Sequence, residues 1–71
     1  MNWRTLKNPN ELVGTLILLR EEYPNISNAN HIAGIIVKDA DGFAIADYNG
    51  KRVQLKEEYR YYYIMVNEIL F

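Results

Sequence analysis

The chain has 71 residues, of which 49% are hydrophobic, and its 8 basic and 9 acidic residues leave a formal net charge of −1. This balance excludes the strong positive field of a phosphate-binding domain and the acidic excess of a nucleic-acid mimic. The absence of cysteine excludes a disulfide framework and a thiolate metal site, and predicts a cytoplasmic protein. The longest apolar run, residues 16–19, is too short to cross a bilayer. We therefore expect residues 1–71 to form one small domain.

The first 23 residues predict an arm followed by a helix. Residues 1–8 read as the arm, because Pro9 disfavours a helical conformation at Asn8. Asn8 as N-cap, Pro9 at the first helical position and Glu11 in the first turn are typical of a helix start. We expect helix 1 to span residues 9–23 and to end where Pro24 follows. Four residues at helical spacing would form its core face: Leu12, Leu16, Leu19 and Tyr23.

The middle of the chain predicts an antiparallel meander. An asparagine-rich loop over residues 24–30 precedes three segments rich in β-branched and aromatic residues, at 31–38, 43–48 and 51–55. The first two are joined by the turn sequence of residues 39–42. The pair Asn49–Gly50 predicts a type I′ turn before the third strand, since both central residues of that turn take positive φ.

The last run, residues 56–70, predicts a second helix. It has fifteen residues without glycine or proline, and it ends in the helical spacing of Val66, Ile69 and Leu70. A fourth strand over residues 59–66 stays open as the alternative, because tyrosine and β-branched residues favour sheets. The sequence thus predicts an α+β fold of α-β-β-β-α order, in which two helices pack on one face of a three-stranded antiparallel sheet.

Helix 2 would carry apolar residues on two sides, and one of them can face the sheet. We expect the other side to form a protein interface, because tyrosine and methionine are enriched at interfaces. Its residues are Tyr61, Ile64, Met65 and Phe71. The sequence predicts a small non-enzymatic protein-binding or regulatory module that binds another protein and forms a homodimer through helix 2. Size and composition suggest a phage or mobile-element protein that binds a host protein. Core packing of both helices stays open as the plainer interpretation.

A basic cluster supports an alternative function. It consists of Lys51, Arg52, Lys56 and Arg60. The α-β-β-β-α order resembles the double-stranded-RNA-binding domain, and that resemblance implies phosphate contacts from lysines at the start of the last helix. At this position the chain has Lys56 followed by Glu57 and Glu58, where the family has a run of lysines and then alanines. The alternative prediction is therefore a nucleic-acid-binding module that uses the basic cluster.

The residues that could perform catalysis are few. The chain has one histidine and one serine, His31 and Ser27, and a loop running into a strand does not bring them face to face. We expect no enzyme activity, no cofactor and no metal site.

Overall fold

The structure, a computed structural model, describes residues 2–70, and for residues 69 and 70 the backbone alone. Its strands are β1 Arg4–Thr5, β2 Leu16–Glu22, β3 Ala29–Asp39, β4 Gly42–Ala46, β5 Arg52–Gln54 and β6 Arg60–Met65. A 3-10 turn spans Pro9–Leu12, and one short helix, α1, spans Val66–Leu70. The strands form one sheet in the order β1-β6-β2-β3-β4-β5, with every neighbouring pair antiparallel. The predicted α+β fold with two helices is therefore wrong, and so is the description of the chain as a small α+β domain.

The segment predicted as helix 1 begins as expected and then becomes a strand. The Asn8 side chain accepts a hydrogen bond from the Asn10 amide at 3.1 Å, as an N-cap does. The helical turn ends at Leu12, because Gly14 has a φ of 83° and donates its amide to the Ile36 carbonyl. In β2 the burial then alternates along the strand, with every second residue buried. A short continuous apolar run satisfies helical and strand periodicity equally, which is why the pattern was misleading.

The segment predicted as helix 2 is mostly strand β6. Residues 57–58 form a turn, β6 follows with hydrogen bonds to β1 on one side and β2 on the other, and α1 adds only five residues. The alternative of a fourth strand over residues 59–66 is thus close to what is found. Tyrosine and isoleucine fit a strand paired on both edges, and the lack of glycine or proline did not prevent a turn. Within residues 2–70, no helix has the length and apolar character needed to span a membrane.

The predicted meander is confirmed in β3, β4 and β5. The second turn differs from the prediction, because Gly50 has a φ of 81° whereas no residue other than glycine in the described part of the chain has positive φ. The turn is a three-residue loop, closed by the Asp47 amide donating to the Lys51 carbonyl at 2.9 Å. Such loops place a glycine in the left-handed conformation at their last position. The type I′ prediction is wrong, although the requirement for Gly50 is real.

The sheet is curled so that its inner face forms the core. The buried hydrophobic residues at its centre are Ile17, Leu19, Ile36, Ile45 and Tyr61. Leu6, which follows β1 at one edge, and Leu55, which follows β5 at the other, pack against this same cluster. Burying each fully enclosed aliphatic side chain contributes about 1.5–3 kcal/mol to stability. The curl therefore lets a single sheet enclose a core without a second layer.

Strand β3 joins two halves of the sheet. It pairs with β2 over residues 29–35 and with β4 over residues 35–39. Gly34 lies where the pairing changes, and a Cβ atom there would collide with the backbone carbonyl of Ala46. This close approach requires glycine and gives the sheet its bend.

Candidate functional site

The residues predicted as a protein interface do not share an exposed surface. Tyr61 is 8% exposed and Ile64 is 2% exposed, and they lie on opposite faces because they are three residues apart in β6. Met65 is half-buried and packs against the core cluster, while Phe71 lies outside the described residues. The exposed side of helix 2 on which the interface prediction depended is therefore absent. The structure lends no support to a homodimer through that helix or to a phage origin.

The basic cluster is divided between two parts of the fold. Lys51 directly precedes β5 and Arg52 begins it, whereas Arg60 begins β6, and three strands lie between β5 and β6 in the sheet order. Lys56 lies in the connection between these strands, with its ammonium group 5.5 Å from the ring centre of Tyr59. The predicted helix that would have aligned these cations is missing, so the resemblance to the double-stranded-RNA-binding domain loses its topological basis. Nucleic-acid contact by the four residues stays a prediction.

A buried carboxylate joins three segments of the inner face. Glu21 in β2 is 5% exposed. One of its oxygens accepts a hydrogen bond from the Tyr23 hydroxyl at 2.7 Å, and the other accepts one from the Tyr61 hydroxyl at 3.0 Å. The Tyr61 oxygen in turn accepts a hydrogen bond from the Lys56 amide at 2.8 Å. This chain, which we call the Glu21 network, ties β2 and β6 to the segment that follows β5.

The Glu21 network keeps its tyrosines protonated. Burial raises the pKa of Tyr61 well above its ordinary value, and the hydrogen bond to the Glu21 carboxylate raises it further against the opposing effect of the Lys56 amide. The hydrogen bond to the same carboxylate raises the pKa of Tyr23. A buried carboxylate costs free energy unless hydrogen bonds satisfy it, and these two hydroxyls supply them. The arrangement is therefore a hydrogen-bonded clamp that stabilises the fold.

A groove, which we call the seam groove, lies where the two edges of the curled sheet face each other. Its volume is about 510 Å³. Leu6 and Pro9 line the side near β1, Phe43 and Leu55 line the side near β5, and Tyr59 and Tyr61 contribute rings. Lys7, Lys56, Asp41 and Glu57 bring charges of both signs to its border. The lining therefore suits an apolar group flanked by polar ones.

Within residues 2–70, no strand pairs with the β5 edge of this groove. The Leu55 amide donates to the Phe43 carbonyl, and the Asp47 amide donates to the Lys51 carbonyl. Val53, which lies opposite Ile45, is midway between Lys51 and Leu55 and is directed toward β4 in the same way. In an antiparallel pair the residues that exchange hydrogen bonds alternate with residues that do not. The amides and carbonyls of Arg52 and Gln54 therefore point away from β4. The Lys56 amide also points away from β4, and it donates a hydrogen bond to the Tyr61 hydroxyl oxygen.

Asp39 holds the side chains beside this edge. Its Oδ2 atom accepts hydrogen bonds from Gln54 at 3.2 Å and Arg52 at 3.3 Å, and its Oδ1 atom accepts one from the Asp41 amide at 2.9 Å. The Asp41 amide is the largest cause of the lowered pKa of Asp39, with smaller contributions from Gln54 and Arg52. These contacts hold two long side chains against the outer face. Because Asp39 lies in β3, on the far side of β4, these contacts draw both side chains away from the outer edge of β5.

Sequence reasoning missed the Glu21 network and the open edge for different reasons. Glu21 follows Ile17 and Leu19 at a spacing of two, which is a strand signal that the helical interpretation concealed. The open edge follows from the strand order, which places β5 last in the sheet, and no local pattern encodes that order. The pairing of Asp39 with Arg52 and Gln54 needs the register of all three meander strands.

No family model, curated protein or solved structure matches this chain. The geometry of its own residues is therefore what indicates a function.

Proposed function

We propose that the protein is a small non-enzymatic protein-binding module, and that its binding surface is the β5 edge together with the seam groove. One observation carries the proposal: in the part of the chain that the structure describes, the outward amides and carbonyls of Arg52 and Gln54 stand unpaired beside the seam groove. Natural sheets usually cover or blunt such an edge, because it invites pairing with another chain. Here Asp39 draws the neighbouring side chains aside, which keeps the edge available.

The remainder of the fold supports this proposal by providing a rigid base. The Glu21 network fixes Tyr61 and Lys56 at one end of the edge, and the three-residue loop fixes Lys51 at the other. A binding surface on rigid elements loses less conformational entropy on association than a mobile one. A cytoplasmic setting is part of the proposal and is supported by the absence of cysteine.

The proposal is tested by affinity capture from cells that express the protein, followed by titration of the captured protein after purification. We expect a protein that binds saturably in isothermal titration calorimetry. The matched control is Gly34→Val, which disrupts the bend of the sheet and should retain nothing. A captured set no different from that of the control would contradict the proposal. Retention of nucleic acid that high salt removes would instead support binding through the basic cluster.

A further inference from the structure

The β5 edge also specifies what kind of partner it fits. We propose that it adds an extended segment of another protein as a further strand, and that this segment alternates apolar with acidic residues. The inference rests on the proposed function and names the chemistry of its partner.

Backbone geometry requires an extended partner. Arg52 and Gln54 each present one amide and one carbonyl on the same edge, at the spacing of alternate residues in a strand. Another strand satisfies such a row of donors and acceptors with ladder hydrogen bonds. These backbone hydrogen bonds form whatever side chains the partner carries, and the side chains then decide specificity. Tyr61 already occupies the next position along the edge by accepting the Lys56 amide. The added strand therefore ends beside Lys56.

The opposite edge of the sheet fits less well. In β1 the Leu6 amide donates to the Tyr61 carbonyl, so Arg4, two residues earlier, is also directed toward β6. Of the two residues of β1, only Thr5 is directed outward. One outward residue offers half the ladder that β5 offers, so β5 fits an added strand better than β1 does.

The two faces of β5 predict which residue types alternate along the partner strand. Val53 and Leu55 belong to the inner face, where they are half-buried and pack against the core cluster. Residues of the added strand beside them would lie over the seam groove, near Leu6 and Phe43, and should be apolar. Residues of the partner on the outer face would lie beside Arg52 and Gln54.

Charge predicts that these outer residues are acidic. Lys51, Arg52 and Lys56 are exposed at the two ends of β5, and of these three Arg52 pairs with an acid, Asp39, at 3.3 Å. Glu57 and Glu58 lie beyond the strand, in the turn before β6. Opposite charges directly across a strand pair are favourable. A second copy of this chain would bring the same cations together, so charge favours a different protein over self-association.

The test selects peptides and compares two substitutions at one position. The full chain is used to select from a displayed library of random peptides of about ten residues, and the enriched peptide is synthesised for fluorescence anisotropy. Gln54→Pro removes the outward amide and leaves the hydrogen bonds to β4 intact, because proline is tolerated at an edge position whose amide faces outward. Gln54→Ala is the matched control, since it removes the same side chain and retains the amide.

We expect enriched peptides that alternate apolar and acidic residues, with binding weakened roughly tenfold by Gln54→Pro and by no more than about twofold by Gln54→Ala. Equal effects of the two substitutions, peptides without alternation, or no enrichment at all would overturn the inference. A dimer in light scattering that Gln54→Pro abolishes would also overturn it, because the occupant would then be a second copy. Arg52→Pro repeats the test should circular dichroism show that Gln54→Pro does not fold.

The inference and the proposed function fail separately. A captured partner whose affinity is unchanged by Gln54→Pro overturns strand addition and leaves a protein-binding module that binds through the seam groove. The absence of any captured protein removes the proposed function itself.

Discussion

The two halves of the sheet each contain a carboxylate that gathers several hydrogen bonds, and the two carboxylates do different work. In the half formed by β1, β6 and β2, Glu21 is buried and joins two strands to the segment after β5. In the half that contains β4 and β5, Asp39 at the end of β3 is half-buried, with 24% of its side chain exposed, and it aligns side chains along an edge. Burial makes the hydrogen bonds of Glu21 costly to lose, whereas water can replace those of Asp39. Glu21 therefore stabilises the fold, whereas Asp39 mainly orients side chains beside the β5 edge.

The largest expected effect comes from breaking the joint between the halves. Gly34→Val places a branched side chain against the Ala46 carbonyl, and backbone cannot move aside as a flexible side chain can. We expect a loss of about 3 kcal/mol in the free energy of unfolding, measured by urea denaturation. Ala33→Val is the control, because Ala33 is exposed and should tolerate the change. Equal losses in the two variants would show that the close approach is absent.

Loss of a hydrogen bond in the Glu21 network should have the next largest effect on stability. Tyr61→Phe leaves the ring in place, removes one donor to Glu21 and leaves the Lys56 amide without its acceptor. We expect a loss of about 2 kcal/mol in the free energy of unfolding. Tyr48→Phe is the matched control, since Tyr48 is 94% exposed and should change stability little. A Tyr61→Phe variant with an unchanged free energy of unfolding would contradict the role assigned to the Glu21 network.

Ionisation of Tyr61 should lower the stability of the fold at alkaline pH. The pKa of Tyr61 in the folded state is raised above its ordinary value of 10.0, so the protonated hydroxyl stabilises the fold. That stability is fully present below pH 10.0 and is lost as the pH rises through the pKa of the folded state. A spectrophotometric titration should show one tyrosine that ionises well after the exposed ones and disappears in Tyr61→Phe. Titration of every tyrosine in a single early step would contradict it.

The turn of the second half gives a smaller effect. Gly50 has a φ of 81°, so Gly50→Val strains the loop between β4 and β5 without creating a clash. We expect a loss of about 1 kcal/mol on thermal or urea unfolding. Gly50→Asn should lose less, because asparagine tolerates the left-handed conformation. If Gly50→Asn were the more damaging change, the assigned backbone conformation would be wrong.

Removing the Asp39 carboxylate should have the smallest effect on stability among the substitutions designed to destabilise the fold. Asp39→Ala frees Arg52 and Gln54 at the surface, so its midpoint of thermal unfolding should fall by less than that of Gly34→Val, Tyr61→Phe or Gly50→Val. Because the pKa of Asp39 is lowered, its contribution is present above the ordinary value of 3.8 and is lost as the pH falls through the pKa of the folded state. Asp41→Ala is the control, since Asp41 contributes its amide and not its carboxylate. A larger fall in the unfolding midpoint for Asp39→Ala than for Tyr61→Phe would show that Asp39, and not the Glu21 network, contributes more to stability.

The second half of the sheet was largely predictable from sequence and the first half was not. Residues 31–55 contain β-branched runs separated by turn sequences, and such signals are local. Strands β2 and β6 pair with each other across about forty residues, and each shows an apolar run that also suits a helix. The N-cap at Asn8 was correct as a local signal, but it starts only one turn. The interface residues were misplaced because their exposure was inferred from a helix that does not form.

Amide hydrogen exchange along β5 distinguishes an open edge from a paired one. We predict that the amides of Val53, Leu55 and Lys56 are protected, while those of Arg52 and Gln54 exchange at rates near those of an unstructured chain. Nuclear magnetic resonance resolves these neighbours individually in a protein of this size. Protection of Arg52 and Gln54 equal to that of Val53 in the monomer would show that the edge is already paired, and would contradict the assignment of β5 as an open docking edge.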